Sequence, residues 1–190
     1  MADTASPIPA SSWPVGRVAR VALTTLLLVY GIAILRAGEF AAIDNVNLPI
    51  HETGHIVFGP FGKLVAAMGG SLFQVIVPAV FVGYFLRRRD QFAASVALWW
   101  VAENLWYVAV YVADAQEQAL PLVGGGEHDW AFILAELDVL RYDDRIAAVI
   151  RFVGIVLFIA AVLWGYASAA APREIPAASE SSSLTSESPK

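Results

Sequence analysis

Residues 48–69 read LPIHETGHIVFGPFGKLVAAMG, and the path of this stretch decides how the rest of the chain is threaded. It is apolar over much of its length, yet it carries His51, Glu52 and His55. Asn47 or Leu48 is suited to cap a helix here, Pro49 suits the first turn, and Gly59-Pro60 should break or kink it. The segment is too polar for an ordinary lipid-facing span. A helix packed among others around a hydrated cavity is expected instead.

The composition around it is that of a membrane protein. Of 190 residues, 58% are hydrophobic and 15% charged, with a mean hydropathy of +0.62, far from soluble averages. Clear hydrophobic spans lie at about 18–36, 71–86, 92–113 and 146–168, each near the ~20 residues that cross a bilayer. With 48–69 they make about five hydrophobic segments in an all-α, polytopic membrane helix bundle, one of them open to a re-entrant path. Residues 1–15 read as a disordered leader, 16–171 as the membrane domain and 172–190 as a disordered polar tail. Arg17 and Arg20 before an apolar run resemble a signal sequence. The following Arg36-Ala37-Gly38-Glu39-Phe40 lacks a small-x-small cleavage site, so an uncleaved first helix is expected.

Charge narrows the function classes. The net charge is -5 with no basic stripe, which excludes nucleic acid as a partner. With no cysteine in the chain, a disulfide framework and a thiolate zinc site are excluded too. Arg87-Arg88-Arg89, like Arg17 and Arg20, favours the cytoplasmic face. Five full crossings would put these two clusters on opposite sides, so the orientation stays open. Nothing in the sequence sets the oligomeric state. Compactness and the lack of further targeting signals point to a prokaryotic cytoplasmic membrane.

His51-Glu52-Thr53-Gly54-His55 is an H-E-x-x-H pentapeptide, and it uses two of the three histidines. By chance such a chain would carry the pattern about once in several hundred cases. Positions i and i+4 share a helix face, so His51 and His55 can offer two imidazole nitrogens to one metal ion. Glu52 would sit beside it as a general base that takes a proton from water. Zinc is the implied cofactor.

A catalytic zinc takes three protein ligands. His128, the remaining histidine, lies in the Gly-rich acidic stretch 124–130 and is the first choice for the third. Asp114, Asp129 and Glu103 are the alternatives. Glu103 and Asn104 fall mid-span in 92–113, where an ionisable group is a functional candidate; the bland reading is a protonated Glu103 bonded within the bundle. Gln74 reads as a structural polar contact. From Asp129 to Arg141, Trp130, Ile133, Leu134, Leu137 and Leu140 recur at helical spacing and predict an amphipathic helix with Asp129 in its first turn. Trp99, Trp100, Trp106, Tyr107 and Tyr111 read as packing and interface anchors, and Gly69-Gly70 as a tight turn. If every segment crossed fully, the start of 48–69 and the loop after Ala113 would face opposite sides. A half-crossing that ends at Gly59-Pro60 removes that conflict.

The pentapeptide, followed by Gly69-Gly70 and further membrane helices, resembles the site-2-protease group of intramembrane zinc metallopeptidases over roughly residues 45–115. The resemblance implies His51 and His55 as ligands, Glu52 as general base and an Asp from a later membrane segment as third ligand. Asp114 is the nearest positional match. The group's Asn-Pro-x-x-x-Leu-Asp-Gly element does not follow here, and Glu127-His128-Asp129-Trp130 is foreign to its pattern.

The expectation is therefore a membrane-embedded zinc-dependent hydrolase, most simply a peptidase, acting on a membrane protein or lipid substrate beside the bilayer. A metal-dependent lipid amidase would use the same ligands. A non-enzymatic membrane metal-binding protein is the remaining alternative.

Overall fold

The computed structural model describes residues 13–38, 41–120 and 127–170, with side chains from Gly16 onward. Within them the chain is all-α: α1 (Trp13–Ala37), α2 (Asp44–Phe58), α3 (Lys63–Arg87), α4 (Gln91–Ala113), α5 (Asp129–Glu136) and α6 (Asp143–Ala170), with single 3-10 turns at Gly59–Phe61 and Leu140–Tyr142. The expected tail and the glycines at 124–126 lie outside the described residues. So does most of the expected leader, although α1 already begins at Trp13.

Four helices, α1, α3, α4 and α6, are long and apolar enough to cross a membrane. Their outward faces carry large apolar side chains such as Leu26, Val80, Phe152 and Leu163, each more than 60% exposed. Water would not tolerate so continuous an apolar surface, whereas lipid requires it. The chain is a multi-pass membrane bundle that has, among the described residues, four full-length helices, with the open fifth segment as a shorter piece.

The difference lies in residues 48–69, which form no single element. α2 stops at Phe58, and after the 3-10 turn Gly62 takes φ +100°, a backbone region open to glycine and strained for other residues. α3 then starts at Lys63, so the second half of the stretch belongs to the next long helix. α2 starts at Asp44, earlier than the predicted Asn47 or Leu48 cap, which puts Pro49 inside it. Its 15 residues span about 22 Å at 1.5 Å per residue, short of the ~30 Å hydrocarbon core.

Side-chain contacts fix the direction of each helix. Arg20 lies over Phe92, the Trp99 indole N–H donates to the Leu27 carbonyl, and Thr25 bonds Tyr166. The start of α1, the start of α4 and the end of α6 therefore share one end of the bundle, along with the α3–α4 turn. At the other end, Gln116 just past α4 bonds Asp143 at the start of α6, and Lys63 pairs with Glu127 at 2.8 Å. Arg17, Arg20 and Arg87 to Arg89 thus lie at the same end, because α2 adds no crossing between them.

α4 is the most enclosed helix. Trp99, Ala102 and Trp106 meet Ile34 of α1 and Phe158, Ala161 and Val162 of α6 in the main apolar core. α2 packs antiparallel on α3, at the end of the bundle opposite the arginines. Its first turns lie beside the middle of α4, where the Asn47 amide donates to Glu103 at 2.8 Å. Trp100 in turn donates to the Asn47 oxygen.

Gly69-Gly70 is helical, not a turn. Both glycines sit inside α3 where α2 crosses it: a side chain on Gly54 would collide with the Gly69 carbonyl, and one on Gly69 with Phe58. The amphipathic helix also ends earlier than its periodicity suggests, at Glu136, and a turn and the Leu140–Tyr142 3-10 segment lead into α6. Asp138 there has φ +57°, which interrupts the helix.

Candidate metal centre

His51 and His55 lie one turn apart on the face of α2 that meets α3, with ring centroids 4.7 Å apart and planes crossed at 78°. Each ring is held through Nδ1. His55 donates from Nδ1 to the Ala66 carbonyl at 2.8 Å, and His51 from Nδ1 to Gln74 Oε1 at 2.7 Å. Both acceptors are oxygens, so each ring keeps a proton on Nδ1 and Nε2 is the nitrogen left to meet a carboxylate as a donor or a metal as a ligand. The two Nε2 atoms converge on Asp129 Oδ2, at 3.3 Å from each.

This spacing has a direct chemical reading. Zinc binds imidazole nitrogen and carboxylate oxygen at about 2.0–2.1 Å, and a tetrahedron with such bonds has an edge of about 3.3–3.4 Å. Two edges of the trio match that length. His51, Glu52 and His55 can also each offer a ligand atom within 4.8 Å of the others. The donor set of two imidazoles and a carboxylate is one that zinc accepts with a fourth position left open.

α5 supplies Asp129 as its first residue. The helix is docked by the Trp130 indole, which donates to Ser71 Oγ of α3 at 3.0 Å. Tyr111 of α4 fixes the aspartate from the other side: its hydroxyl accepts the Asp129 backbone N–H at 3.1 Å and donates to Oδ2 at 3.3 Å. Three separate helices thus aim one carboxylate oxygen at two imidazoles.

His128, the first choice of third ligand, lies apart from the trio in this structure. It is buried, and both of its ring nitrogens are committed. Nδ1 accepts the Ala131 N–H at 3.1 Å as the N-cap of α5, so the proton resides on Nε2 and is donated to Asp114 Oδ2 at 3.2 Å. Asp114 also accepts the backbone N–H groups of Ala119 and Leu120. Neither residue reaches the histidines of α2. Glu103 is also elsewhere: it bonds Asn47 and Asn104, and Asn47 also bonds Asp44. That buried network anchors the start of α2. Of the alternatives, Asp129 is the one brought to the site.

The electrostatics of the trio follow from its contacts. The hydrogen bond it donates to Asp129 holds the His55 imidazole up at about 9, against the opposing effect of burial. Burial works against the Asp129 carboxylate, but hydrogen bonds from His51 and His55 overcome it and hold its carboxyl at about 2. The trio therefore stabilises positive charge between the imidazoles and the carboxylate, at the place a cation would take.

A cavity of about 540 Å³ opens beside these residues, lined by His51, Glu52, His55, Tyr107, Tyr111 and Asp129. Leu48, Leu120 and Phe132 give it an apolar wall, and Lys63 and Glu127 stand at its edge. Glu52, exposed on α2, faces this space next to the trio. Three contributors escaped the sequence reading. Gln74 was legible only as a lone amide in an apolar helix, Tyr111 was hidden among packing aromatics, and Gly70 passed for a turn. A Cβ on Gly70 would come within 2.5 Å of His51 Nε2 and 2.7 Å of His55 Nε2, so this glycine leaves room for the two rings. No known protein family, curated protein or solved structure matches the chain.

Proposed function

We propose that the chain is a membrane-embedded, zinc-dependent hydrolase, most simply a peptidase, with His51, His55 and Asp129 as metal ligands and Glu52 as general base. The observation that carries this reading is the convergence of both Nε2 atoms on Asp129 Oδ2 at tetrahedral spacing. Zinc held there would lower the pKa of water toward ~7 and polarise a scissile carbonyl.

The chain's own residues supply the remaining steps. Gln74 and Ala66 keep both imidazoles oriented, and Tyr111 keeps Asp129 in place. Glu52 takes one proton from the attacking water as its oxygen bonds the carbonyl carbon. It then gives that proton to the leaving nitrogen as the C–N bond breaks. The apolar wall of the cavity suits a substrate that resides in or beside the bilayer. The likeness to site-2 proteases agrees with this division of roles, although the third ligand here comes from a short helix outside the long spans.

The test is zinc content and hydrolysis of a membrane-anchored peptide by the purified chain in lipid nanodiscs. Wild type should bind one zinc per chain, and Glu52→Gln should keep the zinc and lose hydrolysis. A zinc-free wild type would sink the metal assignment, and an active Glu52→Gln would remove the general base.

A further inference from the structure

We propose that Gln74 is a positioning residue: its amide selects the His51 tautomer whose Nε2 can bind a metal. The proposal rests on the reading of His51, His55 and Asp129 as a metal site.

Ala66, Gly70 and Gln74 fall at intervals of four along α3 and so share one face. That face meets the motif helix residue by residue. The Ala66 carbonyl takes the His55 Nδ1 hydrogen, Gly70 leaves room for the rings, and the Gln74 side chain takes the His51 Nδ1 hydrogen. Gln74 is fully buried in a helix whose other lining is mostly apolar. Its Nε2 has no hydrogen-bond partner, so the amide is kept at the expense of an unpaired donor. A leucine would fill the same place without that defect. What leucine cannot do is accept a hydrogen from His51.

The direction of the amide decides the state of the ring. With Oε1 toward the histidine, a proton stays on Nδ1 and Nε2, facing Asp129, is the nitrogen a metal can take. Turned the other way, the Gln74 N–H would donate to Nδ1 and force the ring proton onto Nε2, where it would block a metal. One side chain in a long membrane helix therefore controls half of the histidine pair. The other half is controlled by backbone, which mutation cannot remove.

The experiment is a zinc affinity measurement by chelator competition on the intact chain in nanodiscs, for wild type, Gln74→Leu, Gln74→Met and Gln74→Glu. The two apolar variants should bind zinc roughly 10–100-fold more weakly, the range for loss of a partner behind a metal-binding histidine. Gln74→Glu, whose oxygens can still accept from Nδ1, should stay within about tenfold of wild type. The metal-free apolar variants should unfold no earlier than wild type, since their unpaired donor is gone. Wild-type affinity in Gln74→Leu or Gln74→Met overturns the proposal, as does a Gln74→Glu as weak as either. A wild type that binds no zinc is a different result, and it overturns the metal site itself.

Discussion

Asp114 Oδ2 receives the Nε2 hydrogen of His128 at 3.2 Å, a bond that ties the end of α4 to the start of α5. Because Nδ1 of the same ring caps α5, His128 sets where the helix begins and hence where its first residue, Asp129, projects. An asparagine at 128 keeps the cap but loses the bond to Asp114, at a cost of about 0.5–1.5 kcal/mol. We expect His128→Asn, which can still cap, to retain stoichiometric zinc with a lowered melting temperature. Asp129→Ala should lose the zinc with the fold intact. The reverse pattern in metal analysis would restore His128 as the ligand.

Zinc uptake should release a proton. Metal-free His55 is protonated up to about 9, and a metal needs its Nε2 lone pair. Affinity should therefore rise with pH until about 9, and calorimetry at pH 7 in buffers of different ionisation enthalpy should report about one proton per zinc. The signs for the metal-free fold are opposite for the two partners. The raised His55 stabilises the fold fully below its ordinary 6.5, and that contribution is lost as pH climbs through about 9. The lowered Asp129 stabilises it above its ordinary 3.8, a contribution lost as pH falls through about 2. Metal-free stability should peak between those ordinary values, and a peak at pH 9 or above would contradict the pairing.

Gly70→Ala and Gly54→Ala should separate the site from the fold. A methyl on Gly70 meets the two Nε2 atoms, so zinc binding should fail while alanine improves the helix locally. A methyl on Gly54 meets the backbone of α3 at Gly69, which cannot swing aside. That variant should lose about 1–3 kcal/mol of stability as well as zinc, measured by thermal unfolding in nanodiscs.

How far the sequence could be read depended on whether the information was local. The long apolar helices and the two histidines on one face follow from composition and a spacing of four, and both were legible. Asp129 in the first turn of a helix was legible too, yet the choice between it and His128 was not. Adjacent residues at a helix start point in different directions, and which one reaches α2 depends on how α5 docks through Trp130 and Ser71. Whether 48–69 crosses stayed open in the sequence because Gly62 ends one element and Lys63 opens the next with no polar gap between them. By its cost in a membrane Glu103 reads either as a site residue or as a group bonded within the bundle. Its partners Asn47 and Asn104 make it an anchor for α2, and only the tertiary pairing reveals that.

The half-length α2 makes a topological prediction that five crossings would not. With α2 outside the count, Arg17 and Arg88 lie at the same end of the bundle and Glu117 at the other, all three exposed. The chain has no cysteine, so single cysteines can be placed without a background. Arg17→Cys and Arg88→Cys should react with a membrane-impermeant thiol reagent from one side of sealed vesicles, and Glu117→Cys from the other. A fully crossing α2 would move Arg17 and Arg88 to opposite sides. It would also separate His51 from Asp129 across the bilayer, so labelling of Arg17→Cys and Arg88→Cys from different sides would remove the metal centre along with the topology.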